Sequence, residues 1–321
     1  MKLTRTAGVA LAFASVSALV LSGCTSNSSG GAKKVAFIQG VAGDEFYISM
    51  QCGIQDAAKA AGYEVTTQGP TKFDPTLQKP ILDSVVASRP AAILIAPTDA
   101  TDMQAPLAAA ARAGVKVVLV DTTIDDPSIA VSSVSSDNEG GGAEAFKALQ
   151  ALNPNGGKVL IISTDPGITT VDARIKGFEE AAAKDPKFNY LGVQYSHNEP
   201  ANAAKLMSAA LAKDPDIVGV FATNKYSAEG TGTAVRQANK QNQVKIVGFD
   251  AGPVQVKQLR DNTVQALIAQ LPAKIGSDGF AQAMNALTDR PVTPKIDTGF
   301  SIITADNIDT DGAQYVYKSA C

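Results

Sequence analysis

Tryptophan is absent from the 321-residue chain, histidine occurs once, at position 197, and cysteine three times, at 24, 52 and 321. Without tryptophan the widest stacking platform for a ligand ring is missing. A single histidine and three scattered cysteines leave no zinc constellation and no CxxC pair. Ser-His-Asp or Cys-His chemistry would rest on His197 alone, and that residue reads as a cleft-edge or surface histidine. Blocks of lysine and arginine are missing too. The 28 basic and 31 acidic residues give a net charge of −3, or −5 without Lys2 and Arg5. Such a chain carries no electrostatic footprint for nucleic acid. No G-x-x-x-x-G-K-[ST] loop is present, so the phosphate cradle of that motif is excluded. The sequence implies no metal and no cofactor, and these shortages argue against most enzyme classes.

What is present begins with a leader. Lys2 and Arg5 precede an apolar run of fifteen residues, Ala7 to Leu21, which suits a signal sequence but is shorter than the ~20 residues of a membrane span. The run ends in Leu21-Ser22-Gly23-Cys24, which resembles the lipobox of bacterial lipoproteins. That resemblance implies cleavage before Cys24 and lipidation of its thiol, hence anchoring on the extracytoplasmic face of the cell membrane. Residues 1–23 are then signal peptide, and 24–33 the lipidated cysteine and a flexible Ser/Gly tether.

From Lys34 onward, short β-branched runs alternate with Ala-rich amphipathic stretches. The runs include Val35–Gln39, Ala92–Ala96, Val115–Asp121, Lys158–Ser163, Ile217–Ala222, Lys245–Asp250 and Ala266–Ala269; helical patterns include Phe46–Ala61, Asp102–Ala113, Thr170–Lys184, Ala201–Lys213 and Ser227–Gln241. Near-continuous apolar strands separated by helices indicate an α/β architecture of doubly wound parallel sheets. Ala61-Gly62 and Ala113-Gly114 read as helix stops, while Pro80 and Pro106 fall inside helical patterns. The alternation runs twice, before and after about Ser136, which implies two similar lobes. Gly140-Gly141-Gly142-Ala143-Glu144-Ala145 fits the dinucleotide pattern G-x-G-x-x-A, but it follows a polar stretch, Ser132 to Asn138, rather than a strong strand. A helix start is the better reading.

Ligands of open parallel sheets bind beyond the carboxyl ends of the strands. Those positions hold Asp44 with Phe46 and Tyr47 beside it, then Asp121, Asn224, Asp250 and Gln270. A carboxylate accepts from two vicinal hydroxyls, an amide donates and accepts, and a ring packs on the C–H face of a sugar. Each residue alone also reads as a cap or turn residue; several at successive strand ends suit a polyhydroxylated ligand.

Seven short stretches, in order, carry a resemblance. They are Asp44-Glu45-Phe46-Tyr47, Ala96-Pro97-Thr98-Asp99, Ser136-Asp137-Asn138, Arg174-Ile175-Lys176-Gly177-Phe178, Phe221-Ala222-Thr223-Asn224, Gly248-Phe249-Asp250 and Ala269-Gln270-Leu271-Pro272. Over Lys34 to about Thr304 the chain resembles ribose- and pentose-type periplasmic sugar-binding proteins of ABC transporters, of type I periplasmic-binding fold. The related lactose-repressor-like regulators carry an amino-terminal helix-turn-helix, where this chain has its leader. The resemblance implies a three-strand hinge near Ser136, Gln270 and Thr298. The lobes are then 34–136 plus 271–298, and 137–270 plus 299–321 with the tail. It implies ligand contacts at Asp44, Phe46, Tyr47, Asp121, Arg174, Asn224, Asp250 and Gln270, with Arg174 on the first helix of the second lobe. The chain departs from the ribose binders at Gln39-Gly40, at Thr122 where they carry arginine, and at Asn198 or His197 where they carry an aromatic.

The expectation is a monomeric substrate-binding lipoprotein that captures a small sugar or sugar alcohol by hinge closure and delivers it to an ABC permease. The alternatives are a sensory binding protein serving a chemoreceptor or histidine kinase, and a secreted carbohydrate-active enzyme built on paired carboxylates. With Thr122 in place of arginine, and Asp44, Asp121 and Asp250 as acceptors, the residues favour a polyol such as xylitol or a tetritol, then a pentose. Cys52 lies on the first helix and Cys321 in a tail beyond the resemblance. In an oxidising compartment they are expected to form a disulfide.

Overall fold

The computed structural model describes residues 33–321. The expected signal peptide, the expected lipidation at Cys24 and the expected tether up to residue 32 lie outside the described residues. The described chain holds twelve strands, β1 (Lys33–Ile38), β2 (Tyr63–Gln68), β3 (Ala92–Ile95), β4 (Lys116–Val120), β5 (Ser132–Ser136), β6 (Gly157–Ser163), β7 (Phe188–Tyr195), β8 (Ile217–Ala222), β9 (Lys245–Phe249), β10 (Ala266–Gln270), β11 (Lys295–Thr298) and β12 (Phe300–Thr304). Nine α-helices interleave with them: α1 (Glu45–Ala61), α2 (Pro75–Ala87), α3 (Gln104–Arg112), α4 (Asn138–Leu152), α5 (Thr169–Ala182), α6 (Pro200–Lys213), α7 (Lys225–Gln237), α8 (Pro253–Arg260) and α9 (Pro272–Leu287).

The strands form two six-stranded sheets, ordered β11-β5-β4-β3-β1-β2 and β12-β10-β9-β8-β6-β7. Every pairing is parallel except β10 with β12. Each sheet is the doubly wound order 2-1-3-4-5 with one strand added at the edge. The apolar runs are central strands buried on both faces: all of β3 is buried, and Phe37, Val118, Val220 and Phe249 are fully enclosed. Each such side chain contributes about 1.5–3 kcal/mol through burial. Asp44 accepts from the Phe46 amide to start α1, and Gly62, at φ 73°, ends it.

The stretch Ser132–Asn138 contains a strand after all. In β5 the buried positions alternate as Ser132, Val134 and Ser136, between β4 and β11. A period-2 pattern goes unseen when two of its three buried residues are serine. The glycine-rich segment opens α4. A Cβ on Gly142 would fall 1.9 Å from the Arg174 carbonyl oxygen, and one on Gly177 1.9 Å from that of Glu139. These glycines let α4 and α5 touch backbone to backbone, which accounts for the motif without a nucleotide. Pro106 falls in the first turn of α3, where no intrahelical donor is lost; Pro80 lies inside α2, which continues past it.

The chain passes between the sheets at Ser136–Asn138, Gln270–Pro272 and Thr298–Phe300. Ser136 Oγ donates to Gln270 Oε1 (2.8 Å), and the Asp137 amide to the Thr298 carbonyl (2.9 Å). All three crossings are thereby tied into one hydrogen-bonded hinge. Cys52 and Cys321 are disulfide-bonded, with Cα atoms 5.3 Å apart, inside the span a bridge requires.

Candidate functional site

The carboxyl ends of both sheets face one cleft with about 530 Å³ of empty space. Asp44, Phe46, Tyr47, Asp121, Thr122, Arg174, Asn198, Asn224, Asp250 and Gln270 all line it. Most arrive from strand ends, where βα turns leave the sheet and side chains need not pack in the core, while Phe46 and Tyr47 stand in the first turn of α1 and Arg174 on α5. Two are caps as well as wall. Asp44 Oδ1 accepts from the Phe46 amide at 2.9 Å, and Asn224 Oδ1 from that of Ser227 at 3.0 Å. A capped helix start leaves the rest of the side chain fixed and aimed outward.

Asp121 and Asp250 hold left-handed backbone conformations, at φ 64° and 79°. Such conformations cost of order 1–3 kcal/mol in a non-glycine residue and persist where the surroundings impose them. Asp121 Oδ2 accepts from the Tyr47 phenol at 2.8 Å. Burial pushes its carboxyl up to about 6, against the opposing pull of Arg174 and the phenol. Asp250 Oδ2 accepts from the Lys225 amide at 2.9 Å, while its Oδ1 accepts from Gln270 Nε2 at 2.6 Å and the Tyr317 phenol at 3.0 Å.

Arg174 is buried, and its guanidinium lies 3.7 Å from the centroid of the Phe249 ring. Its Nε donates to Asn138 Oδ1 (2.9 Å) and Nη1 to the Thr223 carbonyl (2.8 Å), a cation–π and hydrogen-bonded seat that fixes the fork. It stands on α5, the second helix of its lobe, because α4 intervenes. Thr122 donates its hydroxyl to the Pro97 carbonyl at 2.6 Å. Asn198 Oδ1 accepts from Asn224 Nδ2 at 2.7 Å. His197, the neighbour it was read with, sits on the exposed rim beside Asp165.

Sequence reading missed Lys225. It is buried, it lines the cleft, and its Nζ lies 3.1 Å from Asp44 Oδ1 and pairs also with Glu45. Burial pulls the ammonium down, but Asp44 and Glu45 outweigh it and hold the group above its ordinary value. The signal was its place directly after the strand-end Asn224; taking one polar residue per strand end passed over it. Val41, Phe73, Ile168 and Val171 supply apolar wall. Phe73 and Tyr47 also explain Gly40, where a Cβ would stand 2.3 Å from the Tyr47 oxygen and 2.7 Å from the Phe73 ring.

The architecture of two doubly wound sheets is shared with known proteins. Residues 35–291 match the model of the periplasmic binding protein domain. The ribose import binding protein RbsB of Escherichia coli K12 is 28% identical over 288 residues, 90% of this chain and 96% of that one. The D-allose-binding periplasmic protein of the same organism is 27% identical over 84% of this chain and 89% of its own. Among solved structures, an ABC transporter solute-binding protein of Agrobacterium vitis bound with α-D-tagatopyranose superimposes with a TM-score of 0.87 at 37% identity, over 89% of this chain and 99% of that one. One from Agrobacterium radiobacter in complex with D-arabinose gives 0.85 at 26%, over 90% and 100%. With its two sheets, its three-stranded hinge and a family model matched over most of its length, the chain belongs to the periplasmic binding protein family and has the type I fold.

Proposed function

We propose that the protein is the extracytoplasmic substrate-binding component of an ABC importer, and that its cleft takes one five- or six-carbon monosaccharide. The observation that carries this reading is the division of the cleft wall. Asp44, Phe46, Tyr47 and Asp121 come from one sheet's side, and Arg174, Asn224, Asp250 and Gln270 from the other sheet and the hinge. A ligand bridging the two halves stabilises the closed form by its contacts to both. In this reading Cys24 anchors the domain to the membrane through its lipid, and the monomer delivers ligand unchanged to the permease. The likeness to ribose- and allose-binding proteins and to tagatose- and arabinose-bound structures supports it.

A ring sugar is favoured over the polyol that the sequence alone suggests. The polyol preference rested on a wall rich in acceptors, with Thr122 as the replacement for arginine. Lys225 lines that same wall, and of its ammonium's three donors two are taken by Asp44 and Glu45, which leaves one for an acceptor-only oxygen such as a ring oxygen. The second reading remains a four- or five-carbon polyol, favoured by the Thr122 hydroxyl being engaged with Pro97.

Thermal shift with D-ribose, D-allose, D-tagatose, D-arabinose, xylitol and erythritol tests both. Ligand at ~100 Kd stabilises a fold by about 2.7 kcal/mol, and one of the ring sugars is expected to give the largest shift. Arg174→Ala and Asp250→Ala are expected to abolish it, each losing roughly 2–5 kcal/mol of binding while staying folded. A polyol in first place selects the second reading. No shift with any member overturns the sugar assignment. Conversion of the ligand on incubation would favour an enzyme.

A further inference from the structure

Beyond β12 the chain stays with the second lobe, where Arg260 of α8 pairs with Asp309 at 2.7 Å. It then changes sides between two consecutive residues. The Tyr317 amide donates to the Ala251 carbonyl, next to Asp250 on the second lobe, at 3.0 Å. The next amide, Lys318, donates to Ser49 Oγ on α1 of the first lobe at 2.7 Å. The segment is then held on α1 by the Cys52–Cys321 disulfide. The hinge therefore has a fourth connection, and only a covalent cross-link at its far end makes it permanent.

Tyr317, where this connection changes lobes, is buried without lining the cleft. Its phenol donates to Asp250 Oδ1 at 3.0 Å and accepts from the Gln270 amide at 3.1 Å. Its ring packs 5.7 Å from that of Phe46. One side chain thus touches a wall residue of each lobe and the middle hinge crossing. Burial and the charge of Asp250 hold the phenol well above its usual value, so it keeps its proton and stays a donor to the carboxylate. The connection lies beside Gln270, where a hinge moves least, so a short tether survives both opening and closing.

We propose that Val316–Cys321 is a disulfide-closed strap across the hinge and that Tyr317, carried on it, is a positioning residue that sets Asp250 and Gln270 for ligand. The positioning role rests on the cleft being the sugar site; the strap does not. Two variants test the two parts, Tyr317→Phe and the double substitution Cys52→Ser/Cys321→Ser, with amide hydrogen exchange on the unliganded proteins and Kd for D-ribose, D-allose, D-tagatose and D-arabinose. In the double variant, exchange at residues 316–320 is expected to rise at least tenfold while the sheet cores keep their protection. In Tyr317→Phe, exchange is expected to rise at the Gln270 amide but not along the strap. The sugar that binds best is expected to lose about tenfold in affinity in both variants. Combining all three substitutions is expected to cost less than the sum, because both act through the same phenol.

Unchanged exchange at 316–320 in the double variant overturns the strap. An unchanged Gln270 amide, or an unchanged Kd, in Tyr317→Phe overturns the positioning role. If no sugar binds the parent protein, the sugar reading fails by itself, and the two exchange measurements still decide the strap and the Gln270 contact.

Discussion

Asp121 shows how a cleft residue is held at the expense of stability. It is a buried carboxylate in a left-handed conformation, pushed up to about 6 chiefly by burial. Its unfolded value is near 3.9. A group whose folded value is raised stabilises the fold below its unfolded value, and that contribution is lost as pH rises through the folded one. Between about pH 4 and 6 the unliganded protein should therefore lose stability on the order of 2–3 kcal/mol from this residue alone. Asp121→Asn is expected to flatten that stretch of the Tm–pH profile, to raise Tm at pH 7.5, and to lose sugar binding. Glu229, pushed up to about 7 by burial, leaves a slope at higher pH in both proteins. A variant whose profile superimposes on the parent's would show that the carboxylate titrates normally. Arg174 and Asp250 were legible from their strand-end and motif positions. Lys225 was not, because nothing in a sequence says that two adjacent polar residues at a helix start both turn inward.

At the scale of elements, the glycines of α4 and α5 position the site without touching it. Backbone contact between these helices sets how far α5 carries Arg174 into the cleft, since the Arg174 carbonyl is the atom against Gly142. Gly142→Ala is expected to separate the helices, costing roughly 1–3 kcal/mol as other small-to-large changes in packed sites do. Affinity should fall further than Tm predicts, because the guanidinium moves with its helix. Calorimetry and sugar titration on the same sample check this; parent affinity with lowered Tm would mean that Arg174 is placed by Phe249 and Asn138 instead. Most elements could be read within a few residues, since central strands and amphipathic helices announce themselves by composition. β5 could not, because its buried positions are largely serine and it is specified by its neighbours β4 and β11.

At the scale of the whole molecule, the lobes meet across the cleft through polar contacts. Lys225 reaches Asp44 and Glu45, Lys72 pairs with Glu199 at 3.1 Å, and the Thr123 amide donates to Thr169 Oγ1 at 3.1 Å. The Lys72 pair is exposed and contributes little. The Lys225 cluster is buried, and removing one partner of a buried pair costs about 3–5 kcal/mol unless water reaches the charge left behind. Opening the cleft admits that water. Lys225→Met is therefore expected to shift the unliganded protein toward an open form, seen as an increased radius of gyration in solution scattering, with saturating sugar restoring the closed profile. Scattering curves that superimpose without ligand would show that the cluster does not hold the lobes together.

The family resemblance implied the three crossings; the sequence by itself determined two doubly wound lobes and the strand ends that supply the cleft. These depend on local hydrophobic pattern and on the rule that parallel sheets bind at their carboxyl edges, both of which are properties of short segments. Tertiary structure alone decided the charge balance of that cleft. Lys225 meets Asp44, 181 positions away, only when the sheets face each other, and with it the wall gains the donor that the acceptor-rich reading lacked. It also decided that Tyr317 stands behind Asp250 and that the tail changes lobes at one peptide bond. Such contacts depend on distance in space between segments remote in sequence, and no periodicity within either segment records them.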